Sequence, residues 1–154
     1  MLWFIINFIL SFITAFITYN LALSFCGFFL KLRETLIPVS LFSVLIFMSK
    51  ILLNSTATLH TILLVISCTL IIKVFNRIDF VLSMIGALLT FILIIVTNLI
   101  FIYPLSRETQ IVFVCDMQNF KWVLFNVGEL LAPLIALLVL RIKRRSIINY
   151  LSSV

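Results

Sequence analysis

The sequence predicts an all-α polytopic membrane protein, a single bundle of five transmembrane helices with its N-terminus outside and its C-terminus inside. One reason is composition: 64% of the 154 residues are hydrophobic and 10% are charged, whereas soluble domains carry roughly 25% charged residues. A second is that the apolar residues form five runs, each with at least the ~17 residues that a helix needs to cross a bilayer. The third is that basic residues concentrate in alternate connections, because cytoplasmic loops retain Lys and Arg.

The predicted spans cover about 3–30, 36–53, 59–75, 80–103 and 121–140, with a basic tail at 141–154. No basic segment precedes the first span, and its first charges, Lys31 and Arg33, follow it. This order favours an uncleaved span that starts outside. Polar residues recur in it at three- and four-residue spacing and therefore share one helical face: Asn7, Ser11, Thr14 and Thr18. We interpret this face as a helix-packing stripe, with a pore lining as the alternative.

The connection between the third and fourth spans sets the arrangement of the middle of the chain. Its four residues, Asn76-Arg77-Ile78-Asp79, can only make a tight turn, so the two spans lie antiparallel and side by side. We expect Asp79 to cap the fourth span. Gly86 and Thr90 form a pair of small residues that lets a neighbouring helix come close.

In the second span we place Pro38 in the first turn, where a missing N–H costs nothing.

The basic residues orient the bundle. The predicted inner segments hold eight of the 11, namely Lys31, Arg33, Lys73, Arg77, Arg141, Lys143, Arg144 and Arg145. The outer segments hold the other three: Lys50, Arg107 and Lys121. Trp122, at the start of the fifth span, suits a membrane interface. We expect the basic residues at the end of that span to contact anionic lipid headgroups or a partner protein: Arg141, Lys143, Arg144 and Arg145.

The sequence predicts neither catalytic residues nor a cofactor. It contains no His-Glu-x-x-His, Gly-x-Ser-x-Gly or phosphate-loop motif and no pair of intramembrane aspartates. His60 is the one histidine, and without a second nitrogen or thiolate beside it we predict no metal site. The three cysteines share no metal-ligand spacing, and we expect no disulfide. Because the net charge of +6 lies in short loops beside apolar spans, it indicates loops that are retained on the cytoplasmic side, not nucleic-acid binding.

Glu129 is the residue that most clearly indicates a site. It lies about seven residues into the fifth span, ~11 Å below its outer end, and an ionisable group at membrane depth indicates function. Four other polar residues fall at a similar depth: Asn126, Lys50, His60 and Asn98. If the spans pack around one axis, these residues form a polar pocket that opens to the outside and accepts a ligand or an ion. The alternatives are a structural Lys50–Glu129 pair with Asn side chains joining the helices, or a neutral Glu129, since desolvation disfavours its charge.

Three segments carry a resemblance to a known family. After a small outer turn, one span begins with Leu59-His60-Thr61-Ile62-Leu63-Leu64. The hairpin from Lys73 to Asp79 then leads into a long span that ends at Pro104. The last predicted span contains Phe125-Asn126-Val127-Gly128-Glu129-Leu130-Leu131 and is followed by a basic segment. In these features the chain resembles the multi-pass N-terminal membrane region of accessory-gene-regulator-type sensor histidine kinases of low-GC Gram-positive bacteria. The resemblance implies an extracellular signal, such as a small peptide, and a sensor module without the kinase domain.

We therefore expect a non-enzymatic sensor or regulatory subunit of a bacterial plasma membrane, which transmits a state to a partner protein. A small transporter or channel component with Glu129 in the path is one alternative. An accessory subunit that anchors a larger membrane complex is the other. The expected partners are the lipid bilayer and either further copies of the chain or another protein, but no nucleic acid.

Overall fold

The computed structural model describes residues 2–52, 57–102 and 120–143, and every regular element in these ranges is a helix. The helices are α1 (Leu2–Phe25), α2 (Leu32–Leu52), α3 (Ala57–Asn76), α4 (Phe80–Thr97) and α5 (Phe120–Lys143), and α4 continues as a π-helical segment at Asn98–Ile102. Four segments are long and apolar enough to cross a membrane: Phe4–Phe25, Arg33–Leu52, Leu59–Asn76 and Phe80–Ile100. The all-α helical bundle is thus confirmed for the described residues. The fifth span and the orientation stay predictions.

Helix α4 buries mainly small and polar side chains and exposes large apolar ones. On α4 the buried residues are Ser83, Gly86, Ala87, Thr90, Phe91 and Thr97. Its exposed large apolar residues are Phe80, Val81, Met84, Ile85, Leu88, Ile92, Ile95 and Val96, followed by Leu99 and Ile100 in the π-helical segment. Soluble monomers rarely expose large contiguous apolar patches, whereas membrane helices pack through small residues and turn apolar ones to lipid. This distribution suits a membrane protein.

Helix α1 is the central helix of the bundle. It packs extensively against α2, α4 and α5, and more sparsely against α3. The other helices are neighbours in chain order, α2 beside α3, α3 beside α4, and α4 beside α5. Every side chain from Ile17 to Cys26 is buried, so this half of α1 is surrounded on all sides. The first half of α1 leaves Leu2, Phe4 and Ile9 exposed.

Helix α1 ends at Phe25 instead of reaching residue 30, because Gly27 makes a helix-ending turn. The N–H of Gly27 donates to Ser24 O at 3.1 Å and that of Phe28 donates to Leu23 O at 2.9 Å. Gly27 has φ 87°, the left-handed conformation that this pattern of hydrogen bonds needs and that glycine adopts without strain. We call the end of the bundle at this turn the lower end, and the opposite end the upper end.

Helix α2 begins about one turn earlier than the predicted span. The Glu34 carboxylate accepts a hydrogen bond from the Lys31 N–H at 3.3 Å, which is one half of a capping box. The helix therefore starts at Leu32. Pro38 lies beyond the first turn, so its predicted placement there is wrong, and the proline ring is buried inside the bundle.

The turn between α3 and α4 is as tight as predicted. Asp79 caps α4, because its Oδ2 accepts the Val81 N–H at 2.9 Å, and this confirms the predicted cap. Arg77 adopts φ 53°, a left-handed conformation that lets α3 stop at Asn76. Ile78 is buried among the other core residues, so it fixes the turn against the bundle.

Helices α1 and α4 approach each other closely at Gly86. A Cβ added to Gly86 would lie 2.6 Å from the carbonyl oxygen of Ala22 and would also overlap the sulfur of Cys26. The Cys26 S–H donates to Leu82 O at 3.2 Å across the same interface. The prediction that a small residue here lets a neighbouring helix come close is confirmed, and the neighbour is α1.

Candidate functional site

A cavity of about 300 Å³ lies in the upper half of the bundle, between all five helices. Its lining consists of Thr14, Thr18, Ile46, Lys50, His60, Thr61, Leu64, Phe91, Ile94, Ile95, Asn98 and Glu129. Along α4 the lining extends from Phe91 to Asn98, which is ~10 Å of helix. The cavity therefore reaches from the upper end towards the middle of the bundle.

The cavity brings together four of the five polar residues that the sequence places at one depth. Lys50 comes from α2, His60 from α3, Asn98 from the end of α4 and Glu129 from α5. The side chain of Asn126 lies outside the described residues. Ligand binding by these residues stays a prediction, but their shared cavity is what such a site requires.

Glu129 is held by Asn98 and faces the charge of Lys50. The Asn98 Nδ2 donates to Glu129 Oε1 at 3.0 Å. Lys50 lies close enough to both Glu129 and His60 to interact with each electrostatically. The pocket thus contains one acidic and one basic side chain on different helices, and their opposite charges limit the cost of burying either one.

Two irregularities of the helical backbone occur at the Asn98–Glu129 contact. Pro133 is buried inside α5, and because proline has no N–H it cannot bond the carbonyl of Glu129 four residues earlier. Helix α4 becomes π-helical at Asn98, whose N–H is shared between the carbonyls of Ile94 and Ile95. Such widened turns often occur at functional sites. The site is therefore built where two helices depart from regular geometry.

Several polar atoms of the cavity lining are buried without a hydrogen-bond partner among the described residues. They are Thr18 Oγ1, His60 Nδ1 and Asn98 Oδ1. Thr18 is 1% exposed, and leaving such a group unpaired is costly. These atoms are therefore suited to contact a polar molecule inside the cavity.

The threonines of the cavity were not recognised in the sequence as site residues. Thr14 and Thr18 belong to the polar face of α1, and that face is indeed turned inward, since Ser11 is fully buried beside them. Packing and cavity lining are both found on it, since Asn7 and Ser11 are buried and both threonines line the pocket. The helical spacing identified the face, but not the helices opposite.

The lower half of the bundle contains two further polar contacts, and both involve α1. Asn76 Nδ2 of α3 donates to the Tyr19 hydroxyl. Arg141 Nη2 of α5 donates to Asn20 Oδ1 at 3.0 Å. These pairs could not be predicted from the sequence, because partners 57 and 121 residues apart meet only after folding.

The basic end of α5 is thus divided between two environments. Arg141 points into the bundle, whereas Lys143 is exposed. Arg144 and Arg145 lie outside the described residues. Contact of this segment with lipid headgroups or a partner protein stays a prediction.

In residues 2–52, 57–102 and 120–143, no three His, Cys, Asp or Glu side chains come together in a way that could hold a metal ion. Cys26 and Cys68 are buried free thiols. No family model, no curated protein and no solved structure matches this chain.

Proposed function

We propose that this chain is a non-enzymatic sensor subunit of a plasma membrane, with five spans, its N-terminus outside and its C-terminus inside. In this proposal the upper cavity opens to the outside and binds a small molecule, and the lower end passes the bound state to a partner protein. The observation that carries the proposal is that side chains from all five helices line one polar cavity. A ligand in it would contact every helix at once.

Consecutive residues of α1 connect the cavity with the contacts that α1 makes to α3 and α5 in the lower half of the bundle. Thr18 lines the cavity, and the next two residues, Tyr19 and Asn20, bind Asn76 of α3 and Arg141 of α5. A ligand that shifts α1 by the 1–2 Å typical of switching helices would therefore alter its contacts with both neighbours. Coupling of this kind needs only a difference in ligand affinity between two arrangements.

The packing below the cavity supports a sensor in preference to an open channel. Tyr19, Ala22, Leu23, Cys68 and Ile72 are all buried there in one apolar cluster. A channel requires a continuous polar path, and among the described residues this cluster separates the cavity from the lower end. The inner position of the lower end follows from its basic residues, which cytoplasmic segments retain.

A small transporter is the second candidate, and the irregular backbone at Asn98 and Pro133 favours it. Transporters often bind substrates where interrupted helices meet near the middle of the membrane. A transporter requires the apolar cluster below the cavity to open in part of its cycle, whereas a sensor does not. The two functions therefore differ in whether a bound molecule crosses.

The two candidates are separated by comparing wild type with Glu129→Gln, using Glu108→Gln in the predicted outer loop as a matched control. Tagged full-length chains are purified gently from their own host, and the proteins bound to them are quantified by mass spectrometry. If the chain is a sensor, we expect Glu129→Gln to change the amount of bound partner protein several-fold and Glu108→Gln to leave it unchanged. Glu129-dependent uptake of solutes into proteoliposomes, with partner binding unchanged, would overturn the sensor proposal in favour of the transporter.

A further inference from the structure

We propose that the upper cavity binds a small zwitterion with an apolar body, such as a free apolar amino acid. This inference rests on the proposed function and names the ligand class of the same cavity. It follows from three features of the lining: hydrogen-bond acceptors on α1, α4 and α5, donors on α2 and α3, and several apolar side chains.

The acceptors come from α1, α4 and α5. Asn98 donates its amide Nδ2 to Glu129, so its Oδ1 is left as an acceptor, and among the described residues that oxygen has no partner. Thr18 Oγ1 is likewise buried and has no hydrogen-bond partner among the described residues. Together with the Glu129 carboxylate, these oxygens match the three N–H donors of an ammonium group.

The donors come from the neighbouring helices α2 and α3. Lys50 supplies an ammonium group, and His60 and Thr61 contribute an imidazole and a hydroxyl to the same lining. These groups match a carboxylate, which accepts hydrogen bonds through both of its oxygens.

The charges of the cavity distinguish a zwitterion from a simple ion. Lys50 and Glu129 are partly buried and lie within electrostatic reach of each other on the cavity lining. A lone anion or cation would compete with that attraction and would neutralise only one of the two charges. A zwitterion offers each side chain an opposite charge, so no charge is left uncompensated in a poorly hydrated site.

Size and the remaining lining indicate a small molecule with an apolar part. Ile46, Leu64, Phe91, Ile94 and Ile95 complete the cavity, and these side chains attract an apolar body. The volume of about 300 Å³ lies at the lower limit of ligand pockets, which span roughly 300–1,000 Å³. A single amino acid is therefore a better match than a longer molecule.

The test is binding of L-leucine to the full chain in lipid nanodiscs, measured by calorimetry and by the rise in melting temperature. Leucinamide, which lacks the carboxylate, and N-acetyl-leucine, which lacks the ammonium group, serve as matched probes. We expect L-leucine to bind and both analogues to bind at least about tenfold more weakly, since each loses hydrogen bonds to a charged group. Equal binding of L-leucine and either analogue would overturn the zwitterion.

The site is located by an isosteric pair of variants. Thr18→Val removes the unpartnered hydroxyl of the cavity, and we expect it to weaken L-leucine binding about tenfold. Thr69→Val removes a buried hydroxyl that bonds Val65 O on α3 and does not line the cavity, so we expect unchanged binding. Equal effects of the two variants would contradict this site.

Failure of the inference and failure of the proposed function give different results. If L-leucine does not bind but N-acetyl-leucine or leucinamide binds in a Thr18-dependent manner, the cavity is a ligand site and the zwitterion is wrong. If none of the three probes binds and an impermeant thiol reagent added outside does not reach Thr61→Cys, the outward-facing cavity itself is wrong.

Discussion

At the scale of single residues, Lys50 and Glu129 carry opposite charges on two helices that line the same cavity. Glu129 is anchored by Asn98, and Lys50 lies within electrostatic reach. The sequence placed both residues near one depth, because ~1.5 Å of rise per residue converts position along a span into depth. It did not establish that their helices face the same cavity.

A double-mutant cycle tests this pairing. We expect Glu129→Gln and Lys50→Met each to destabilise the protein by about 1–3 kcal/mol, because each leaves the other charge without a counter-charge. The double variant should recover most of that loss, so that the two changes are strongly non-additive. The measurement is thermal unfolding in detergent. Additive losses would show that Lys50 and Glu129 are not coupled.

At the scale of helices, close packing of α1 on α4 depends on the missing side chain of Gly86. The nearest backbone atom is the carbonyl oxygen of Ala22, which cannot move aside without shifting the helix. The pair of small residues in the sequence predicted a close approach, and local spacing was sufficient for that. The identity of the approaching helix required the folded chain.

Gly86→Ala should therefore separate α1 from α4 and lower the free energy of unfolding by about 1–3 kcal/mol, the usual cost of overpacking. Leu88→Ala is the control, since Leu88 is exposed on the same helix and its truncation leaves that contact intact. Unfolding in mixed micelles gives both values. A Gly86→Ala protein as stable as wild type would be inconsistent with this contact.

The prolines provide a second comparison at this scale. Pro133→Ala restores an N–H that can bond the Glu129 carbonyl, so we expect a higher melting temperature together with weaker L-leucine binding as Glu129 is displaced. Pro38→Ala makes the same change in α2, away from the cavity lining. It should raise the melting temperature without altering binding. Identical binding by the two variants would show that the interruption at Pro133 does not shape the site.

At the scale of the whole molecule, the distribution of basic residues predicts which end faces the cytoplasm. Four helices are long and apolar enough to cross a membrane, and the turns at 26–31 and 77–79 lie at one end of the bundle. Lys31, Arg33, Lys73 and Arg77 cluster there in the sequence. Because cytoplasmic segments retain Lys and Arg, this end is predicted to face the cytoplasm.

Cysteine labelling in intact cells tests the five-span topology. In a chain without its native cysteines, an impermeant reagent should label Asn54→Cys and Ser106→Cys, which lie in predicted outer segments. It should not label Asn76→Cys or Ser146→Cys until the cells are permeabilised. External labelling of Asn76→Cys would rule out the predicted orientation.

The sequence by itself determined the helical class, the tight α3–α4 turn and the Asp79 cap. Each of these depends on neighbours along the chain, since backbone hydrogen bonds inside a membrane must be satisfied within the helix. The end of α1 at Phe25 and the start of α2 at Leu32 were missed, because the apolar sequence continues past the point at which the turn at Gly27 ends the helix.

Only the tertiary structure decided that α1 is the central helix and that Thr18, Tyr19 and Asn20 contact the cavity, α3 and α5 in succession. Side-chain spacing shows which residues share a face, but not which helix that face meets. Helices in a membrane associate through close packing and a few polar contacts. Which faces meet therefore depends on partners distant in the chain, such as Arg141 for Asn20 and Glu129 for Asn98.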